Sequence, residues 1–264
     1  MKQRVITAVF GGILFIIITI LGGWWLSLLL VVLAAIAYHE LLRMAKIPFW
    51  SLASLLGVFF LFTLLFSSFH ASGIISFWPA FTLGHLFVLF IVLFLILTVV
   101  SKNRLTVAEL SLFLIAVFYF GLGFAQFGYL RHTEGLPFIF FILLIIWATD
   151  SAAYIVGKSI GKVKLWPSIS PHKTLEGTLG GIGAALIVGW LFQLITKHFD
   201  YWSQALGISV LISLAGQIGD LIESGIKRYY GVKDSGNLLP GHGGVLDRFD
   251  ALIFVCVLFF LWSF

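Results

Sequence analysis

Residues 81–100 read FTLGHLFVLFIVLFLILTVV, a stretch of twenty positions without an aspartate, glutamate, lysine or arginine. An α-helix needs about 20 predominantly apolar residues to cross the hydrocarbon core of a bilayer. A spanning segment must also pair its backbone N–H and C=O groups internally, and a helix does this. The stretch therefore predicts a transmembrane helix, and similar apolar runs recur along the whole chain.

The composition of the whole chain agrees with a membrane protein. The 264 residues are 61% hydrophobic and only 10% charged, whereas a soluble domain has about 25% charged residues. Too little polar surface is present to cover a water-soluble globule. We predict an all-α fold, a polytopic transmembrane bundle of about nine helices that forms a single integral membrane domain over 1–264. The predicted spans are 5–22, 24–42, 51–68, 81–100, 108–130, 136–157, 176–196, 203–224 and 249–264.

The basic residues predict the orientation of this bundle. If the N-terminus is cytoplasmic and the spans alternate, only Arg131 and Lys197 lie on the opposite side, and the other 14 of the 16 lysines and arginines are cytoplasmic. This distribution follows the positive-inside rule. We therefore expect a multi-pass protein of the cell (inner) membrane, with its C-terminus on the side opposite the cytoplasm. The net charge of +5 is attributed to topology and to anionic substrates or lipids, not to nucleic acid.

Charged residues concentrate in the second half of the chain. Residues 1–145 have short loops and few charges, and we interpret them as mainly scaffold helices. Residues 146–264 contain the two longest predicted cytoplasmic loops, 158–175 and 225–248. We interpret this second part as catalytic helices and cytoplasmic loops.

Two carboxylates lie within predicted spans, where ionisable side chains are costly and are functional candidates. Asp150 is near the cytoplasmic end of one span, and Asp220 lies in another. Helical spacing places Asp220 on the same face as Glu223 and Lys227. Two interpretations of Asp220 follow: a structural ion pair with a lysine, or a cation ligand that faces a cavity open to the cytoplasm.

The segment after Asp220 is dense in cations, carboxylates and glycines. Residues 224–250 read SGIKRYYGVKDSGNLLPGHGGVLDRFD. The glycines allow backbone N–H groups to surround an anion. Asp247 and Asp250 are three residues apart at the start of a helix and point the same way. Since this segment joins two consecutive spans, we expect Asp220 and Asp247 to converge.

The residue types in this segment indicate a chemistry. Carboxylate oxygens suit Mg²⁺, which often binds through one or two carboxylates together with substrate phosphates. Basic residues and glycines beside such a site are typical of phosphoryl or nucleotidyl transfer. His242 is a candidate base or a hydrogen-bond donor to phosphate.

Residues 224–250 resemble, from end to end, the signature of the phosphatidate cytidylyltransferases, also called CDP-diacylglycerol synthases. The shared pattern is S-x-[apolar]-K-R-x4-K-D-x-[small]-x2-[apolar]-[P/G/S]-x-H-G-G-[apolar]-x-D-R-x-D. Residues 150–158 and 170–177 look like the second polar region of that family. Leu175 stands where an aromatic residue is familiar, which is a mild difference.

The resemblance implies that CTP and phosphatidic acid react to give CDP-diacylglycerol and pyrophosphate. It also implies that Mg²⁺ is the cofactor, with a second cation left open. The protein is then expected to be a homodimer in contact with membrane lipids. Taken with the residue chemistry, the resemblance makes Asp220 and Asp247 the expected metal ligands. The expected catalytic residues are Asp220, Asp247, Lys227, Arg228, Lys233, His242 and Asp250. The expected substrate- or phosphate-binding residues are Lys173, Glu176, Asp234, Gly243, Gly244, Arg248 and Asp150.

Two alternatives stand beside this function, a related enzyme and a protein of a different class. One is a related CTP-dependent lipid phosphotransferase, such as an isoprenoid alcohol kinase, whose alcohol nucleophile would need a base. The other is an ion-coupled transporter in which Asp150 and Asp220 are the coupling sites. Two features argue against the transporter. Residues 224–250 suit phosphate binding, and the sequence lacks the internal repeat that many transporters carry.

Overall fold

The computed structural model describes residues 2–74, 76–77, 79, 81–102, 104–236 and 243–262. Over these residues the chain forms nine helices, which confirms the predicted all-α class and the predicted number. The helices are α1 (Lys2–Leu21), α2 (Gly23–Met44), α3 (Leu52–Ala71), α4 (Leu83–Val100), α5 (Val107–Thr133), α6 (Gly135–Ile160), α7 (Leu175–Thr196), α8 (Trp202–Tyr229) and α9 (Leu246–Trp262). Helix α5 includes a π-helical turn at Ile115–Tyr119.

Helices α2 to α8 are the seven in the described part of the chain that are long and apolar enough to cross a membrane. The protein is therefore a multi-pass membrane protein. In α1 the described apolar part is the shorter stretch Phe10–Leu21. Helix α9 has 17 residues, or about 25 Å at the helical rise, which is shorter than the roughly 30 Å hydrocarbon core. Its first turn is also charged, since it contains Asp247 and Arg248.

Helix α4 illustrates how an apolar helix divides between protein and lipid. Its buried residues Leu86, Phe90 and Phe94 follow one another at intervals of four, which places them on one face. The ring of Phe90 stacks on Phe94 at 4.2 Å and meets Phe60 and Phe118 edge-on. The other faces remain apolar and exposed, as suits contact with lipid tails.

The connecting loops gather at two ends of the bundle. At one end, Arg131 at the close of α5 donates to the carbonyls of Thr19 and Ile20 at the close of α1, at 2.9 and 3.0 Å. At the other end, Arg228 at the close of α8 donates to the carbonyl of Ile169 in the loop after α6, at 3.4 Å. This grouping agrees with the alternation of spans that the basic residues predicted.

The two long loops differ from their predicted extents. Within the first, Lys164–Trp166 (β1) pairs antiparallel with Ser170–Thr174 (β2), a small hairpin that hydropathy did not indicate. The second is shorter than predicted, because α8 continues to Tyr229 and α9 begins at Leu246. Our predicted span ended where the apolar residues end. The helix continues because its polar last turns are held by side-chain pairing along the same helix, between Glu223 and Lys227.

Candidate active site

A cavity of about 900 Å³ lies at one end of the bundle, between the β-hairpin and the ends of α6, α7, α8 and α9. Its charged lining comprises four aspartates and four lysines, joined by His172. These residues are Asp150, Asp220, Asp247, Asp250, Lys158, Lys164, Lys173 and Lys227. Balanced charges of this kind suit a ligand that combines a polyanion with a metal cation.

Asp220 is paired with Lys173 across this cavity. Nζ of Lys173 lies 2.7 Å from Oδ2 of Asp220 and donates to the carbonyl of Gln217 at 3.2 Å. The hydroxyl of Ser224 donates to the other carboxylate oxygen at 3.3 Å. The structural ion pair that we considered for Asp220 therefore exists, yet its side chain is 38% exposed. A partly exposed carboxylate that lines a cavity in this way can exchange its lysine partner for a ligand.

Close contact between α8 and α9 brings the carboxylates of these helices to one place. A Cβ atom on Gly219 would lie 2.7 Å from the carbonyl oxygen of Asp250 and 2.9 Å from Cβ of Phe254. Only glycine allows α9 to pack so near. The expected convergence of Asp220 with the carboxylates at the start of α9 is confirmed, because they line the same cavity.

Asp247 is the most extensively bonded of the four aspartates. Its Oδ1 lies 2.6 Å from Nζ of Lys227, which also forms an ion pair with Glu223. Its Oδ2 accepts from the backbone N–H of Gly244 at 2.8 Å and from both the N–H and the hydroxyl of Ser235, each at 2.9 Å. The Gly244 N–H that we assigned to phosphate therefore points at Asp247 in this structure.

The carboxylates that line the cavity are compatible with Mg²⁺. Among the described residues there is no group of three or more His, Cys, Asp or Glu side chains placed to hold a metal. Mg²⁺ needs no such group, because one or two carboxylates suffice when substrate phosphates and water complete the octahedron. Asp220, partly exposed in the cavity, fits this role. Asp247 fits it if a cation replaces the ammonium of Lys227 at Oδ1.

Four predicted site residues lie beside the cavity rather than in its described lining. Arg228 donates to the carbonyls of Ile169 and Val232 and so joins the two loops. Lys233, Asp234 and Arg248 are exposed on the same side of the protein. Their predicted contacts with substrate remain predictions.

The remaining predictions concern Glu176 and the glycine-rich loop. Glu176 accepts from the backbone N–H of Val163 at 3.2 Å, so it fastens the β-hairpin to the start of α7. Gly243 has a φ of 80°, which favours glycine, and lies where the backbone turns toward α9. His242 lies outside the described residues.

Sequence reasoning missed several functional candidates. Lys158, Lys164 and His172 line the cavity, and each belongs to a polar segment that the sequence marked as cytoplasmic. Glu40 on α2 was also missed, although its carboxylate accepts from the backbone N–H groups of Val245 and Leu246, next to Asp247. A charged residue at the close of an apolar span was the available signal. The partners are 195 to 206 residues away in the chain, so no local pattern identified them.

Comparison with known proteins identifies the family of the chain. The profile described as "Cytidylyltransferase family" matches residues 2–264. The chain is 43% identical over 262 residues to the phosphatidate cytidylyltransferase of Bacillus subtilis (strain 168), covering 97% of this chain and 94% of that protein. It is 42% identical over 258 residues to the phosphatidate cytidylyltransferase of Staphylococcus aureus (strain COL), covering 97% and 96%. The chain belongs to the cytidylyltransferase family.

Proposed function

We propose that the protein is a phosphatidate cytidylyltransferase, which transfers CMP from CTP to phosphatidic acid and releases pyrophosphate. The observation that carries this proposal is the cavity at the end of the bundle, in which four lysines and four aspartates surround about 900 Å³. The names of the relatives at 42–43% identity support it.

The chemistry matches what the cavity offers. A phosphate monoester has a second pKa near 6, so the phosphate of phosphatidic acid is largely dianionic at neutral pH and needs little help from a base. One of its oxygens forms a bond to the α-phosphorus of CTP, while the bond from that phosphorus to the bridging oxygen of pyrophosphate breaks. The main barrier is the approach of two anions, which positive charge lowers.

The lysines supply the positive charge in this proposal. Lys173 and Lys227 form ion pairs with the carboxylates of Asp220 and Asp247. Phosphate oxygens would replace the carboxylates as acceptors for these ammonium groups, since charge-assisted hydrogen bonds to phosphate are as favourable as those to carboxylate. Lys158 and Lys164 extend the basic lining toward the exposed rim of the cavity.

Mg²⁺ is the proposed cofactor, and Asp220 and Asp247 would hold it. Bound there, it would neutralise phosphate charge and orient the two substrates. Asp150 and Asp250 face the same cavity, where they would receive a second cation if one takes part.

The proposal includes a location and an assembly. The site would face the cytoplasm in the cell (inner) membrane, because the basic loops gather at its end of the bundle. CTP would then arrive from water while the acyl chains of phosphatidic acid stay in lipid. The N-terminus would be cytoplasmic and the C-terminus on the opposite side, and the protein would act as a homodimer without nucleic acid.

The test is turnover by the purified protein in detergent or vesicles containing phosphatidic acid. We expect labelled CTP to enter lipid, with one pyrophosphate released per CDP-diacylglycerol, only when Mg²⁺ is present. Inactivity with phosphatidic acid and Mg²⁺ would refute the proposal. Preference for an isoprenoid alcohol in direct competition would favour the lipid phosphotransferase. Substrate flux into vesicles without pyrophosphate release would favour the transporter.

A further inference from the structure

Glu40 is a buried carboxylate from the scaffold half of the chain, and it contacts the start of α9, the helix that carries Asp247. Its Oε1 accepts from the backbone N–H of Val245 and its Oε2 from that of Leu246, both at 2.9 Å. Its Oε2 also lies 3.1 Å from the hydroxyl of Ser235. Glu40 is only 3% exposed, so all of these bonds are sheltered from water.

The position of Glu40 has a physical reason. Leu246 is the first residue of α9, and the first N–H groups of a helix have no partner within the helix. The start of a helix also carries partial positive charge, which attracts a carboxylate. A buried charge is costly unless it is hydrogen-bonded, and Glu40 satisfies this condition by capping α9 from a different helix.

Ser235 connects Glu40 to Asp247. Its hydroxyl lies 3.1 Å from Oε2 of Glu40 and 2.9 Å from Oδ2 of Asp247. A serine hydroxyl has one proton, so it donates to one carboxylate at a time. The backbone N–H of Ser235 donates to the same oxygen of Asp247 at 2.9 Å. A displacement of Glu40 would therefore be passed to Asp247 by two routes, through Ser235 and through the first turn of α9.

The backbone at Gly236 and Gly244 packs closely against the Glu40 carboxylate. A Cβ atom on Gly236 would lie 2.6 Å from Oε1 of Glu40, and one on Gly244 would meet the same carboxylate. Residues without a side chain are needed at both positions for the backbone to approach. Glu40 is thus enclosed by the backbone at Gly236 and at Gly244.

We infer that Glu40 is a positioning residue: it holds the start of α9 and, through Ser235, fixes the carboxylate of Asp247 in the active site. This inference rests on the proposed function for its effect on turnover. It assigns to α2, which is otherwise scaffold, a direct role in shaping the site.

The principal test is Glu40→Gln. The amide has the same size as the carboxylate. Its NH₂ group must face one of the two backbone N–H groups that donate to the carboxylate, so at least one hydrogen bond is lost. We expect kcat to fall roughly 10- to 100-fold, as for other residues that orient a metal-binding side chain through hydrogen bonds. The KM for phosphatidic acid should change little. The amides of Val245 and Leu246 should exchange hydrogen faster, while the rest of α9 stays protected.

Glu109→Gln is the matched control. Glu109 also accepts a backbone N–H at a helix start, from Thr106 at 2.7 Å, but it is only half-buried and does not belong to the described lining of the active-site cavity. We expect wild-type kcat and wild-type exchange at Val245 and Leu246 in this variant. If Glu40→Gln does not fold, Glu40→Asp replaces it, and a smaller change in the same direction is expected because the charge is kept.

The outcomes separate this inference from the proposed function. Wild-type kcat in both Glu40 variants, or unchanged exchange at Val245 and Leu246 in Glu40→Gln, would overturn the inference while the proposed function stands. A wild-type protein that is inactive with CTP and phosphatidic acid would refute the proposed function. The exchange measurement uses no substrate, so it would still decide whether Glu40 holds the start of α9.

Discussion

The ammonium of Lys173, at the edge of the small β-hairpin, lies 2.7 Å from the carboxylate of Asp220 on α8. The pair joins the loop after α6 to a carboxylate that hydropathy places inside a membrane span. Each partner neutralises the charge of the other, as a partly buried ion pair requires. In the proposed function, phosphate would pair with Lys173 and Mg²⁺ with Asp220.

Replacing Lys173 with methionine should remove positive charge from the cavity with little change in volume. We expect kcat to fall about 100-fold or more, the usual cost of losing one group that stabilises a transition state. Incorporation of labelled CTP into lipid measures this. Lys162→Met is the control, because Lys162 is exposed on the same loop and is not in the described lining of the cavity. Equal activity of the two variants would contradict a role for Lys173.

Asp220→Asn and Asp247→Asn should each abolish turnover while the protein remains folded. Both replacements keep the shape of the side chain but remove the charge that Mg²⁺ requires. Elution from a sizing column and the melting temperature in detergent report folding. Asp200→Asn, in a cavity at the opposite end of the bundle, should retain full activity. A rate near that of wild type in either site variant would remove that residue from the metal site.

Gly236→Ala should destabilise the protein because the added methyl group would clash with Glu40. The three atoms nearest to the added methyl group all belong to Glu40, the closest at 2.6 Å. The same substitution should cost less in a Glu40→Ala background, with a coupling energy of about 0.5–3 kcal/mol in unfolding free energy. Gly207→Ala, where a Cβ would meet nothing within 4 Å, should be additive with Glu40→Ala. Additivity of the Gly236 pair would contradict the described geometry.

Ser67→Ala should lower stability without lowering kcat, if residues 1–145 are mainly scaffold. The Ser67 hydroxyl accepts from the N–H of Phe81 at 2.6 Å and donates to its carbonyl at 2.8 Å. Loss of both partners in a buried place should cost roughly 1–3 kcal/mol. Unfolding in detergent measures the stability, and Ser68→Ala on the neighbouring position is the control. A large loss of kcat in the folded Ser67 variant would argue against the division into scaffold and catalytic parts.

Local sequence was sufficient for the helices and for the neighbourhood of the site. Each predicted span coincides with a helix to within a few residues, apart from the polar last turns of α8, because hydropathy marks where a backbone must satisfy its own hydrogen bonds. The charged segment 224–250 indicated where the candidate site lies, since charges so close to lipid need a functional reason. Both inferences depend on residues that are near one another in the chain.

The amino-acid sequence by itself determined that this is a helical membrane protein, and it marked the charged segment between the last two helices as the candidate site. Only the tertiary structure decided which groups meet there. Lys173 reaches Asp220, and Glu40 caps α9 from about 200 residues away. The physical reason is that helix formation in lipid depends on local composition, whereas the partner of a buried charge depends on how helices pack, which a linear pattern does not specify.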